Sequence, residues 1–74
     1  MTLKTLLKKI DRKKWKCKEA VKSLLELYYM DNPDLVQAVL STHNHLNGIG
    51  LIDMQNYREA QSFLSKLYHK MVYK

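Results

Sequence analysis

Apolar side chains return every three or four residues along this chain, and no alternating run is long enough for a strand, so the pattern predicts helices alone. Projected at about 100° per residue, Leu3, Leu6, Leu7, Ile10, Cys17, Val21, Leu24, Leu25 and Tyr28 share an arc of about 100°. Lys14 is the one residue that intrudes on it. A phase held this long predicts one continuous helix from about Thr2, as N-cap, to Met30, about 40 Å at about 1.5 Å per residue. The alternative is a break at Asp11, with that residue capping a second segment. Against it, the first turn of such a segment holds Arg12, Lys13 and Lys14, the wrong sign for the positive end of a helix dipole.

The "DNPD" that follows is punctuation. Asn32 precedes proline and is pushed out of helical geometry, Pro33 suits a first helical position, and Asp34 adds favourable charge to the first turn. A second helix is expected over about 33–47, with Leu35, Val36, Val39, Leu40, His43 and Leu46 on one face and Asn47-Gly48 as a left-handed end. In "GIGLID" the glycines reverse the chain, Ile49 and Leu51 cover the helix ends, and Asp53 reads as the next N-cap. Ile52 and Tyr57 have the spacing of a hydrophobic staple. A third helix over about 54–73 places Tyr57, Ala60, Leu64, Leu67, Tyr68 and Met71 on its apolar face. The fold class is therefore all-α: a single domain over residues 1–74, a small three-helix bundle with a long basic first helix and roughly antiparallel neighbours.

Composition adds limits to that picture. With 74 residues and 46% hydrophobic content the chain is globular, yet a core this small buries only about 60% of the surface its unfolded form exposes. Self-association would help it, so a homodimer is an open expectation. Cys17 is the sole cysteine, which rules out an internal disulfide and any cysteine-based zinc site or redox pair. No apolar run approaches the roughly 18 residues of a membrane span, and the N-terminus lacks the apolar core of a signal peptide. The expected location is the cytoplasm, or the interior of a host or target cell.

Charge changes the picture more. Residues 1–22 hold nine lysines and arginines against two acids, a local +7, whereas residues 23–74 hold four against five, a local −1. The net +6 thus belongs to one element. On the continuous helix Lys4, Lys8, Arg12 and Lys22, with Lys9 and Lys16 toward the flank, lie opposite the apolar stripe, and Trp15 projects from among them.

Enzyme chemistry finds no support in the spacing. His43 and His45, two residues apart, point about 200° apart on a helix and cannot grip one metal, so no metal site and no cofactor are expected. His43 falls on the apolar face as a partly buried imidazole, whereas His45 and His69 are expected to be exposed. The glycines of "NGIG" lack the strand before and the "GK[ST]" after that a phosphate loop needs. Most of the five tyrosines read as packing, with Tyr29 and Tyr73 off the main faces.

Three readings of the basic segment then compete. Lysines can simply solvate an exposed helix, with Trp15 lying over their methylene stems or meeting an overhanging part of another helix. They can neutralise about 4 to 6 phosphates of a nucleic acid, with Trp15 stacking on a base. Or a basic helix anchored by its indole can dock on an acidic partner protein. The expectation is a non-enzymatic regulatory protein that meets an anionic macromolecule through Lys4, Lys8, Lys9, Arg12, Trp15, Lys16 and Lys22. Nucleic-acid backbone is slightly favoured, DNA or RNA, because steering scales with charge; the acidic protein surface is the alternative.

Overall fold

The computed structural model describes residues 1–49 and 54–73, leaving aside the side chains of Ile49, Met54 and Gln55. Four helices make up the described residues: α1 (Leu3–Asp11), α2 (Lys18–Asp31), α3 (Leu35–Ile49) and α4 (Met54–Val72). The chain is an all-helical bundle, but with four helices where three were expected. The long first helix is broken, and the break is the alternative that the dipole argument had disfavoured.

Two physical reasons favour the break. The molecule's Cα extents are 29 × 24 × 21 Å, so an unbroken rod of about 40 Å would carry one end of its apolar stripe beyond anything able to cover it. Broken, both halves meet the same core: Leu6 and Ile10 from α1, and Val21 and Leu25 from α2, are fully buried in it. The interruption also falls where the stripe fails. Lys14, which a continuous helix would press into the core, is exposed in the connector. The new helix does not start at Asp11, so Arg12, Lys13 and Lys14 never occupy its first turn. α2 starts at Lys18 with Glu19 in its first turn, and Lys8 and Lys9 lie in the last turn of α1, where cations oppose the negative end of the dipole.

The ends of the helices follow local chemistry. Thr2 caps α1 as expected, its extended backbone (φ −113, ψ 166) allowing Oγ1 to accept from the Thr5 N–H at 3.2 Å. The Lys13 N–H donates to the Ile10 carbonyl at 2.9 Å, a tightened closing turn. At the far end of α2, Asn32 takes the extended conformation required before proline (φ −142, ψ 104). Pro33 is not the first residue of the next helix. Asp34 caps α3 instead, its carboxylate accepting from the Val36 N–H at 3.0 Å while its carbonyl accepts from Ala38 at 2.9 Å. A carboxylate that reaches an unsatisfied N–H outweighs proline's preset φ. The expected end at Asn47-Gly48 is also corrected: α3 continues to Ile49, and no glycine among the described residues has positive φ. The expectations placed on the Ile49 side chain, Gly50, Leu51, the Ile52 staple and the Asp53 cap lie outside the described residues.

α3 is the central element, packed against α2 on one side and α4 on the other. Its buried side chains are Ala38, Val39, Thr42 and Leu46, a stripe rotated from the expected one, with Leu40 and His43 only half-buried. Ala38 and Thr42 are small enough to let two neighbours approach, and the Thr42 hydroxyl donates to the Ala38 carbonyl at 2.8 Å, satisfying the one buried polar side chain among the described residues. The face of α4 is as expected: Ala60, Leu64 and Leu67 are buried and Tyr57, Tyr68 and Met71 flank them.

Gly48 provides a direct check on the end of α3. A Cβ placed there meets nothing within 4 Å, and the residue is helical. Gly48→Ala should therefore stabilise the protein by about 0.5–1 kcal/mol in urea unfolding; a loss of stability would mean that the chain turns at this residue.

Candidate functional site

The connector between α1 and α2, residues 12–17, arranges the basic segment. It is pinned at three places. Cys17 is buried and its thiol donates to the Asn56 carbonyl of α4 at 2.7 Å. Trp15 meets Phe63 of α4 edge-on, with centroids 5.4 Å apart and planes at 66°. Lys13 places its ammonium 4.6 Å from the centre of the Phe63 ring and 6.0 Å from that of Trp15. The indole expected to project from a ring of cations is thus half-buried against α4. Its remaining edge lines a shallow cleft of about 250 Å³ with Lys14, Lys16, Asn56 and Glu59.

Across the break, α2 holds the end of α1. Lys22 Nζ lies 2.5 Å from Asp11 Oδ1 and 3.9 Å from Glu19 Oε1, and Lys18 Nζ donates to the Asp11 carbonyl at 3.3 Å. The bond from Lys22 holds the Asp11 carboxyl below its ordinary value of 3.8, and Lys18 adds to the effect. The same bond raises Lys22 above its ordinary 10.5. Lys22, expected on the binding surface, is thus engaged within the fold by Asp11 and Glu19.

The other expected site residues divide. Lys4, Lys8 and Arg12 are exposed and follow one another at four-residue spacing, so they form a ridge along α1 about 12 Å long. Lys16 is exposed in the connector next to Trp15. Lys9 is exposed on a different flank, where it borders a groove between α1, α3 and α4. Lys14 joins the exposed cations, although on an unbroken helix it belonged to the apolar side. Phe63, which anchors the connector, was legible as a flank of the α4 stripe, three residues after Ala60 and four before Leu67, but nothing in the sequence paired it with Trp15.

The histidines stay apart from this surface. His45 Nδ1 lies 3.0 Å from the Tyr28 hydroxyl, a contact between α2 and α3. His43 is half-buried beside Arg58 and Gln61. No group of three or more His, Cys, Asp or Glu side chains comes together among the described residues, and no described helix is long and apolar enough to cross a membrane.

The staple across the break has a pH signature. A carboxyl held low stabilises the fold above its unfolded value and loses that contribution as pH falls through its folded value; a raised ammonium stabilises below its unfolded value and loses it as pH rises through the folded one. Both contributions are present from roughly pH 5 to 9. Asp11→Asn should lower the melting temperature at neutral pH, and the gap from wild type should close on acidification below about pH 4 in circular-dichroism melts. A gap that persists in acid would assign the loss to packing. No protein-family model, curated protein or solved structure matches the chain.

Proposed function

We propose that the protein is a non-enzymatic binding module that attaches to the phosphate backbone of a nucleic acid through α1 and the connector after it. The observation that carries the reading is the set of exposed cations Lys4, Lys8, Arg12, Lys14 and Lys16. Among the described residues, the ion pairs involve Lys22 alone with Asp11 and Glu19, so these five keep their charge for a ligand. The Lys4-Lys8-Arg12 ridge, about 12 Å long, covers the axial rise of roughly three to four phosphates of one strand. Lys14 and Lys16 follow it in the connector, exposed at the cleft beside Trp15.

Backbone attachment asks only for cations in a row and carries little base preference. A protein partner anchored on Trp15 asks for a free indole, and the edge-on packing against Phe63 removes support for that rival. Trp15 is then a reporter beside the contact, with Lys14 and Lys16 on either side of it in sequence.

Titration with duplex DNA over a salt series tests the proposal. Log affinity should fall linearly with log salt at a slope near −0.9 per phosphate contacted, about −4.5 if each of the five cations meets one phosphate. Lys8→Glu with Arg12→Glu should abolish binding at physiological salt, and Arg12→Ala should reduce the slope by about one. Lys22→Gln should weaken the fold yet leave the slope unchanged, because that ammonium is occupied by Asp11. Trp15→Phe should alter affinity by less than about threefold. Salt-independent binding, or none on duplex and single strands alike, would overturn the proposal.

A further inference from the structure

A groove of about 680 Å³ lies between α1, the start of α3 and the second half of α4, and shares Phe63 with the anchor of the connector. Its floor is apolar, built from Leu35, Val36, Phe63 and Met71, all only partly covered by the bundle. Its rims are basic: Lys9 on α1, and Lys66 with Lys70 on α4. Those two lysines stand one helical turn apart, about 6 Å. Among the described residues the one acid at the edge, Asp34, is engaged in capping α3.

The complementary surface is on the same chain. Leu27 and Met30 of α2 are 62% and 82% exposed, a high value for two large apolar side chains one turn apart. Around α2, at about 100° per residue, the order is Glu26, Met30, Leu27, Asp31: an acid, two apolar residues and an acid. That is the negative of the groove, which presents an apolar floor between cations. A ligand with a single anionic head would use one end of such a groove, whereas cations on both rims match a helix with acids on both sides of its apolar ridge.

We infer that this groove receives the Leu27–Met30 ridge of α2 from a second copy of the chain, with Glu26 and Asp31 facing Lys9, Lys66 and Lys70. Ridge and groove are different patches: exchanged reciprocally between two copies they make an isologous interface that closes a dimer, whereas made once per copy the contact is heterologous and propagates as a chain of subunits. Desolvating the two apolar side chains supplies the attraction, and the flanking charges set orientation and exclude a ridge of like sign. The Lys4-Lys8-Arg12 ridge takes no part in it, so the inference stands independently of nucleic-acid binding.

Analytical ultracentrifugation of the whole protein, from about 1 to 500 µM, tests this in the absence of nucleic acid. The mass should rise with concentration from 8.8 kDa toward at least twice that value. Met30→Lys, at an exposed position that leaves the fold intact by circular dichroism, should weaken association about tenfold or more. Glu26→Lys with Asp31→Lys should do the same, as should Lys66→Glu with Lys70→Glu. Mixing the last two variants should restore association, since each then offers the other an opposite charge. A mass of 8.8 kDa throughout the range, association unmoved by either pair of reversals, or a chain that stays monomeric while the groove takes up an added acidic amphipathic peptide would each overturn the inference.

Discussion

The need to bring all apolar surface within reach of one small core governs this protein. α3 and α4 extend about 22 and 28 Å at about 1.5 Å per residue, and a rod of about 40 Å laid across them would leave a good part of its leucine stripe in water. Burial of apolar area is worth roughly 25 cal/mol per Å², so an uncovered end forfeits the term on which a bundle this small depends. The break restores it. Ile10 and Val21, eleven residues apart, are both fully buried in the same cluster. The connector makes up for the helical hydrogen bonds it gives up: a tightened turn at Lys13, the Cys17 thiol on Asn56, and aromatic packing of Trp15 on Phe63.

The same break distributes the charge. Of nine cations in the first 22 residues, Lys13 lies over the Phe63 ring, Lys18 binds the carbonyl end of α1, and Lys22 pairs with Asp11. Lys8 and Lys9 oppose the dipole of α1 from its last turn. A cation that acts through a dipole keeps its ammonium free for a ligand, whereas one bonded to a carboxylate does not. Composition counts all nine alike. The distinction between a structural lysine and an available one arises only when α2 folds back beside α1 and places Lys22 within reach of Asp11.

Particular residues show how far the sequence could be read. The faces of α2 and α4 were legible because each of these helices presents a single stripe and its period is enough to define it. The face of α3 was rotated because a helix between two neighbours is selected for close approach as well as hydrophobicity; Ala38 and Thr42 carry little weight in a hydrophobic count and are nonetheless buried. At Pro33 and Asp34 two capping rules compete, and the side chain able to reach an N–H prevails. In the candidate site, Lys4, Lys8, Arg12 and Lys16 were identified from the wheel and are exposed. Trp15 and Lys22 were placed there too, and both have partners within the fold, Phe63 and Asp11, that lie too far away in sequence for any local pattern to reveal.

Taken alone, the amino-acid order determined that the chain is helical, where Thr2 caps the first helix, where Pro33 parts the second from the third, and that positive charge gathers at one end. Those properties depend on residues within a turn or two of one another, and periodicity records them directly. Tertiary structure decided that the first helix breaks, that the indole turns toward Phe63, and which lysines are engaged within the fold. Each of those outcomes compares the free energy of one local conformation with contacts to a distant segment, and the comparison has a definite answer only once the segments have met.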